Sequence, residues 1–460
     1  MSEAKKVIGE LIERARIAQK IAEGSTQERV DELVAAIAWN IVKGETGKKI
    51  ATMAVEESKL GNYDGKYSKL MKKVRGALRD MKDGKSVGVI ERDEAKGIIK
   101  IAKPVGVIGA LVPCTNPEAT PVIKAMNAIK GRNAIVFAPH PRTKGTNKFI
   151  VDIIRETLKK YDAPEDLVIT IEQPSLELSG ELMRQCDLVV ATGGSGMVKS
   201  AYSSGTPAYG VGAGNAVIIV DETADLKDAA HKIMLSKTFD FATSCSAENS
   251  LVIIESVYDE LVANLKAEGG HLATPEEKEK LKNTMWEDGH LSRHIVAQPA
   301  SKIAELADIE IQADEQFIMV EEEGVGEDYP FAGEKMSVVV TLYKVKDFEV
   351  AVDKVNEITG YQGTGHSCGI HTTDEKRIEI LGNKVKVSRI MVRQPHCYGN
   401  SGNWNNGMPF TLTLGCGTWG GNVSSENITW KHFINVTWVS SPIKEVIPTD
   451  EELFGSVMNK

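Results

Sequence analysis

The chain has 460 residues, 42% of them hydrophobic and 26% charged, ordinary figures for a globular protein with two or three substantial cores. Its formal net charge of −9 argues against a general nucleic-acid binder, and no apolar run approaches the ~18 residues of a membrane span. Six cysteines without close pairing make neither a disulfide scaffold nor a zinc site. With a charged, helix-patterned N-terminus, they lead us to expect a reduced, cytoplasmic protein without a metal.

Residues 1–83 read as helices. Val7, Ile8, Leu11, Ile12 and Ala15 recur at helical spacing, as do Val30, Leu33, Val34 and Ile37. Ser25, with Glu28 three residues on, predicts a capping box. A short hairpin is expected over 84–102. Strands are then predicted over 105–112, 134–138, 167–171, 188–191 and 216–220, alternating with helices over 117–130, 145–160, 175–185 and 197–204. Such alternation implies a parallel, doubly wound α/β sheet whose ligands bind at the carboxyl ends of its strands. A second α/β unit follows, with strands near 251–254, 336–343 and 387–392. The polar stretch 268–290 reads as solvated helix and loop, and the aperiodic 395–407 as an ordered loop.

Cys245 carries the chemistry. It is flanked by hydroxyls in Thr243-Ser244-Cys245-Ser246 and precedes the apolar run 251–254, which reads as a thiol on a tight turn entering a buried strand. Asn116 follows the first parallel strand in Pro113-Cys114-Thr115-Asn116-Pro117; its amide suits either an oxyanion or a helix cap. His140, Pro141 and Arg142 follow the next strand, as a phosphate- or ribose-binding turn or simply a rigid one. Gly193, Gly194, Ser195 and Gly196 open a predicted helix and can present N–H groups to a diphosphate, though without the G-x-G-x-x-G spacing. The glycines of 210–214 permit close backbone approach, or serve a turn alone.

These segments resemble the CoA-acylating aldehyde dehydrogenases, including the aldehyde dehydrogenase half of bifunctional aldehyde–alcohol dehydrogenases. The matching runs are PVGVIGALVPCTNP, GRNAIVFAPHPR, ATGGSGMVKSAYSSGTPAYGVGAGN, the Cys245 segment, FAGEKMSVVV and LTLGCGTWGGNVSSEN, in order over roughly 100–430. The resemblance implies an aldehyde dehydrogenase-like fold. A Rossmann-like cofactor-binding domain is expected over 1–237, completed by 417–445, and a catalytic domain over 238–416. It also implies NAD or NADP as cofactor, coenzyme A as co-substrate, and a dimer or tetramer. On that basis Cys245 is the nucleophile, Asn116 the oxyanion donor and Glu334 the ribose partner, while His140, Pro141, Arg142, Gly193, Gly194, Ser195, Gly196 and Gly212 hold the nucleotide. His366 matches a histidine position of the family, for proton transfer, for CoA or as a structural group.

Two departures sharpen the expectation. Hydrolytic relatives activate water with a glutamate in an E-L-G-G-K type motif; here 209–215 contains no carboxylate, so a thioester should pass to CoA. Where the family has a Pro-Ser-Ser-Gln-Gly type run, this chain has Arg393-Gln394-Pro395-His396-Cys397-Tyr398-Gly399-Asn400. Donors left unpaired beside an alkyl group cost about 1–3 kcal/mol each. An anionic or strongly polar aldehyde is therefore expected, held by Arg393, His396 and Asn400 in the pattern of acylating sulfoacetaldehyde dehydrogenases, unless these side chains line a subunit contact or stay solvated. The alternatives are an acylating enzyme for succinic semialdehyde or acetaldehyde, a hydrolytic dehydrogenase, and a structural scaffolding protein.

Overall fold

The computed structural model describes residues 2–458. Four helices open the chain, Glu3–Ala22, Gln27–Val42, Thr46–Ser58 and Tyr63–Lys82. The second is capped by Thr26, whose side chain accepts from Arg29 N, rather than by Ser25. The fourth is capped by Asn62, with Asp64 in its first turn and Arg79 and Lys82 in its last, charges that complement the helix dipole. It buries Leu70, Val74, Ala77 and Met81, but also Lys66, Lys69 and Lys73.

Two parallel sheets follow. The first has five strands in the order Val168–Thr170, Ala134–Pro139, Val107–Val112, Leu188–Ala191, Ala208–Gly210. Its central strands are buried at every position, as expected of a sheet covered by helices on both faces. The second has seven strands in the order Gly270–Leu272, Phe317–Glu321, Val339–Val345, Glu248–Ile254, Ala216–Val220, Cys368–His371, Ile390–Val392. Ala216–Val220, expected in the first sheet, is thus a central strand of the second, paired with Glu248–Ile254 and Cys368–His371. The passage between sheets falls at the glycine loop 211–215, well before residue 237. The polar stretch 268–290 contributes an edge strand as well as helix.

The hairpin Gly88–Asp93 and Ile98–Pro104 forms, and Ile434–Ser440 extends it to three antiparallel strands. Phe410, Ile428, Trp430 and Phe433 pack into the core around the first sheet, so the chain returns there at its end. No helix among the described residues is long and apolar enough to cross a membrane.

Candidate active site

A cavity of about 790 Å3 opens between the two sheets, within the range of small-molecule and cofactor sites. Its wall brings together Asn116, His140, Pro141, Arg142, Gly193, Gly194, Gly212, Cys245 and Glu334. Asn116, His140, Pro141, Arg142, Gly193 and Gly194 follow the carboxyl ends of Val107–Val112, Ala134–Pro139 and Leu188–Ala191, where open α/β sheets place ligands. Gly212, Cys245 and Glu334 come from the loops that lead into the second sheet. The Gly194 backbone faces open space, and beside Gly193 only the Met197 side chain comes near. Both precede the helix Ser195–Tyr202, so N–H groups at a helix start stand free for a diphosphate. These residues fit a nicotinamide dinucleotide. Gly196 is exposed and not part of the wall, and the Ser195 side chain lies outside the described residues. His140 Nδ1 accepts from Arg142 N at 3.2 Å, and Arg142 Nη2 donates to Ser58 O at 2.5 Å.

Cys245 lies between the left-handed turn Asp240–Ala242 and the strand Glu248–Ile254. Its Sγ is 3.3 Å from His366 Nε2, and His366 Nδ1 is 2.8 Å from Ser367 Oγ. Burial, reinforced by the Arg389 guanidinium, holds the imidazole well below its usual range, so it is neutral at physiological pH. A neutral ring that donates from Nδ1 to Ser367 leaves Nε2 as acceptor for the Cys245 S–H. Burial pushes the Cys245 thiol up to about 12, with the Glu334 carboxyl adding to the rise. Burial likewise pushes Glu334 itself up to about 8.

The loop 211–215 lies hard against Cys245. A Cβ at Gly214 would stand 2.0 Å from Cys245 O and 2.8 Å from Cys245 Cβ. This contact, rather than a positive φ, is why the position needs glycine.

Asn116 is oriented from behind. Lys69 Nζ donates to Asn116 Oδ1 (2.6 Å), Asp240 Oδ2 (2.5 Å) and Thr243 Oγ1 (3.0 Å). The amide oxygen is thus tied to a cation, while Nδ2 gives one N–H to Thr115 Oγ1 at 3.2 Å and keeps the other for a ligand. Lys66 joins Asp240 at 3.0 Å, and both lysines lie 3.6–3.9 Å from Glu118. All four charges are buried and sum to zero, the condition under which buried charge is tolerated. Burial works against ionisation of Asp240, but Lys69 and Lys66 outweigh it and hold the carboxyl below its usual range.

Arg393, His396 and Asn400, the residues expected to hold an anion, do not meet at the Cys245 cavity. Arg393 is exposed, donating to Thr372 O (2.7 Å) and lying 3.3 Å from Glu375. His396 is buried, its ring nitrogens 2.7 Å from Ser246 O and 3.1 Å from Cys368 O. Asn400 is buried and donates to Ser246 Oγ (2.7 Å) and Ser367 Oγ (3.1 Å). None of the three lines either cavity that Cys245 reaches. Arg393 belongs to the surface, while His396 and Asn400 brace the turn and the His366–Ser367 pair from behind. Lys69 and Asp240 were missed because a buried ion pair and a solvated one look alike in sequence.

The aldehyde dehydrogenase family model matches residues 5–299. The acylating sulfoacetaldehyde dehydrogenase of Bilophila wadsworthia is 48% identical over 462 residues, 99% of each chain. An acetylating aldehyde dehydrogenase from Geobacillus thermoglucosidasius superposes with a TM-score of 0.93 at 38% identity, over 97% of this chain and 99% of that one. A Rhodopseudomonas palustris propionaldehyde dehydrogenase, solved with CoA and an acylated cysteine, superposes at 0.85 with 26% identity, over 94% and 97%. With the wall of loops around a cysteine–histidine pair, these matches lead to one conclusion: the chain belongs to the aldehyde dehydrogenase family, on its CoA-acylating branch.

Proposed function

We propose that this protein interconverts sulfoacetaldehyde and sulfoacetyl-CoA: aldehyde + CoA + NAD(P)+ ⇌ acyl-CoA + NAD(P)H + H+. Cys245 Sγ adds to the aldehyde carbon as its proton passes to His366 Nε2, and the developing oxyanion accepts from Asn116 Nδ2. Bound NAD(P)+ supplies the hydride acceptor. Oxidation leaves a thioester on Cys245. His366 releases the Cys245 proton to solvent, the CoA thiol attacks the thioester carbonyl as its own proton passes to the freed Nε2, and Cys245 departs as a thiolate that His366 reprotonates. Glu334 faces the same cavity to hold the nicotinamide ribose.

The observation that carries this reading is the 3.3 Å contact between Cys245 Sγ, in the wall of the nucleotide cavity, and the buried, neutral His366. The loop 209–215, against the same sulfur's backbone, bears no carboxylate to activate water. The sulfonated substrate rests on the Bilophila relative. The test is NAD(P)H formation with sulfoacetaldehyde, succinic semialdehyde and acetaldehyde, with and without CoA. Sulfoacetaldehyde should give the highest kcat/KM and should require CoA. A CoA-independent rate of similar size would instead assign a hydrolytic dehydrogenase.

A cytoplasmic homo-oligomer remains part of this reading. Trp438, Val446, Ile447 and Leu453, on and beyond the edge strand Ile434–Ser440, are all more than half exposed. An apolar edge and tail of this kind suit pairing with a second copy. Sedimentation of the full chain against a chain ending at Ser441 tests this. Loss of the oligomer on truncation supports it; an unchanged mass refutes it.

A further inference from the structure

Cys245 stands at the junction of two cavities. The second is a compact recess that shares only Asn116, Cys245 and Leu412 with the nucleotide cavity. Its other walls include Lys69, Lys72, Lys73, Phe239 and Tyr398. The three lysines project from one face of the helix Tyr63–Lys82, at the i, i+3, i+4 spacing that brings side chains together.

Their protons are spent differently. Lys69 gives all three donors to Asn116, Asp240 and Thr243. Lys73 gives its three to Ser401 O, Ser401 Oγ and Gly402 O. Lys72 Nζ has no hydrogen-bond or ion-pair partner among the described residues. It lies 4.7 Å from the centroid of the Tyr398 ring, which meets Phe239 edge-on at 4.9 Å. Asp240 and Glu118 offset the charge of Lys69, but no carboxylate offsets Lys72 or Lys73. Burial lowers Lys72, and burial with the neighbouring Lys72 lowers Lys73 to about 7, so the recess holds lysines without a counter-charge, one of them with unused donors, in the same wall as the thiol. A neutral alkyl tail would leave that ammonium partly desolvated and unpaired; an anion would pair it.

The space is about 40 Å3, roughly that of three waters. It suits a compact anionic head one carbon from the carbonyl, as in sulfoacetaldehyde, better than the longer chain of succinic semialdehyde. Resting on the substrate reading above, we propose that Lys72 is the specificity-determining residue of the aldehyde subsite and receives the sulfonate while the carbonyl carbon is held at Cys245. Lys73 gains charge when an anion enters the recess, and Tyr398 positions the Lys72 ammonium.

Two variants test the assignment. Lys72→Met keeps length and removes charge; Lys72→Arg keeps charge. kcat/KM is measured for sulfoacetaldehyde, succinic semialdehyde and propionaldehyde, and ethanesulfonate is tested as an inhibitor competitive with aldehyde. The sulfoacetaldehyde-to-propionaldehyde ratio should fall about 10- to 100-fold in Lys72→Met, chiefly through KM. Ethanesulfonate should weaken in parallel, and Lys72→Arg should retain part of both. Arg393→Ala should leave the ratio as it is. A wild-type preference for sulfoacetaldehyde that persists in Lys72→Met overturns the role of Lys72 and leaves the substrate reading standing. No wild-type preference for sulfoacetaldehyde over propionaldehyde overturns both. A wild-type preference for succinic semialdehyde overturns the sulfonate assignment.

Discussion

Replacing Gly214 with alanine puts one methyl group where the structure has no room. The new Cβ would stand 2.0 Å from Cys245 O, 2.7 Å from its carbonyl carbon and 2.8 Å from its Cβ. Real Cβ contacts stay above 3.0 Å, so the Cys245 turn or the loop must retreat by about 1 Å. Neither neighbour is a flexible side-chain end, and Cys245 is tied into the strand that begins at Glu248. A misplacement of that size at a nucleophile costs about 100-fold in rate, equivalent to about 2.7 kcal/mol of barrier. Overpacking should cost folding stability about 1–3 kcal/mol. The assay is CoA-dependent NAD(P)H formation, paired with the rate of Cys245 alkylation and the Tm. Gly360→Ala is the control, because a Cβ there meets nothing within 4 Å and alanine is the better helix former. Gly214→Ala activity within threefold of wild type, at an unchanged alkylation rate, would refute the close packing of the loop on the thiol.

His366→Ala should lower kcat by about 10²–10⁴-fold and slow Cys245 alkylation near neutral pH while leaving nucleotide affinity intact, measured by titration of NAD(P)H fluorescence. Asp240→Ala strands Lys66 and Lys69 with only Glu118 nearby. A loss of about 3–5 kcal/mol in urea unfolding is expected, with activity falling as Asn116 loses its anchor. Glu334 is raised from 4.5 to about 8 in the folded chain, so the fold binds its proton more tightly than the unfolded chain does. Its contribution to stability is present below about pH 4.5 and is lost as pH rises through 8. Urea midpoints measured across that window should decline, and Glu334→Gln should flatten the decline.

The parts of the site carried by local sequence were legible before the fold was known. Cys245, Asn116 and the glycine loops sit in turns whose composition reports their own geometry. The strand Ala216–Val220 was legible as a strand but not as a member of the larger sheet. Its pairing with Cys368–His371, about 150 residues downstream, is a long-range contact that local pattern does not encode. The surface position of Arg393 and the burial of Lys69 and Lys73 are hidden from the sequence for a related reason. Arg393 stands out in a loop that departs from family pattern, whereas Lys69, Lys72 and Lys73 lie about 170 residues before Cys245 on a lysine-rich helix that reads as a solvated face. Only folding shows that this face turns inward, where Gly61 and Gly65 leave room for Asp240 to dock between them. His366, a lone histidine on a turn, needed its neighbours in space before its partner could be named.

The central claim is that Cys245 carries the acyl group and yields it to CoA. Intact-mass spectrometry of the full chain, incubated with sulfoacetaldehyde and NAD(P)+ but no CoA, tests this directly. The account predicts a sulfoacetyl adduct that maps to Cys245, disappears on addition of CoA as acyl-CoA forms, and is absent in Cys245→Ser. An unmodified chain that still reduces NAD(P)+, or a Cys245→Ser chain that still turns over, would contradict it.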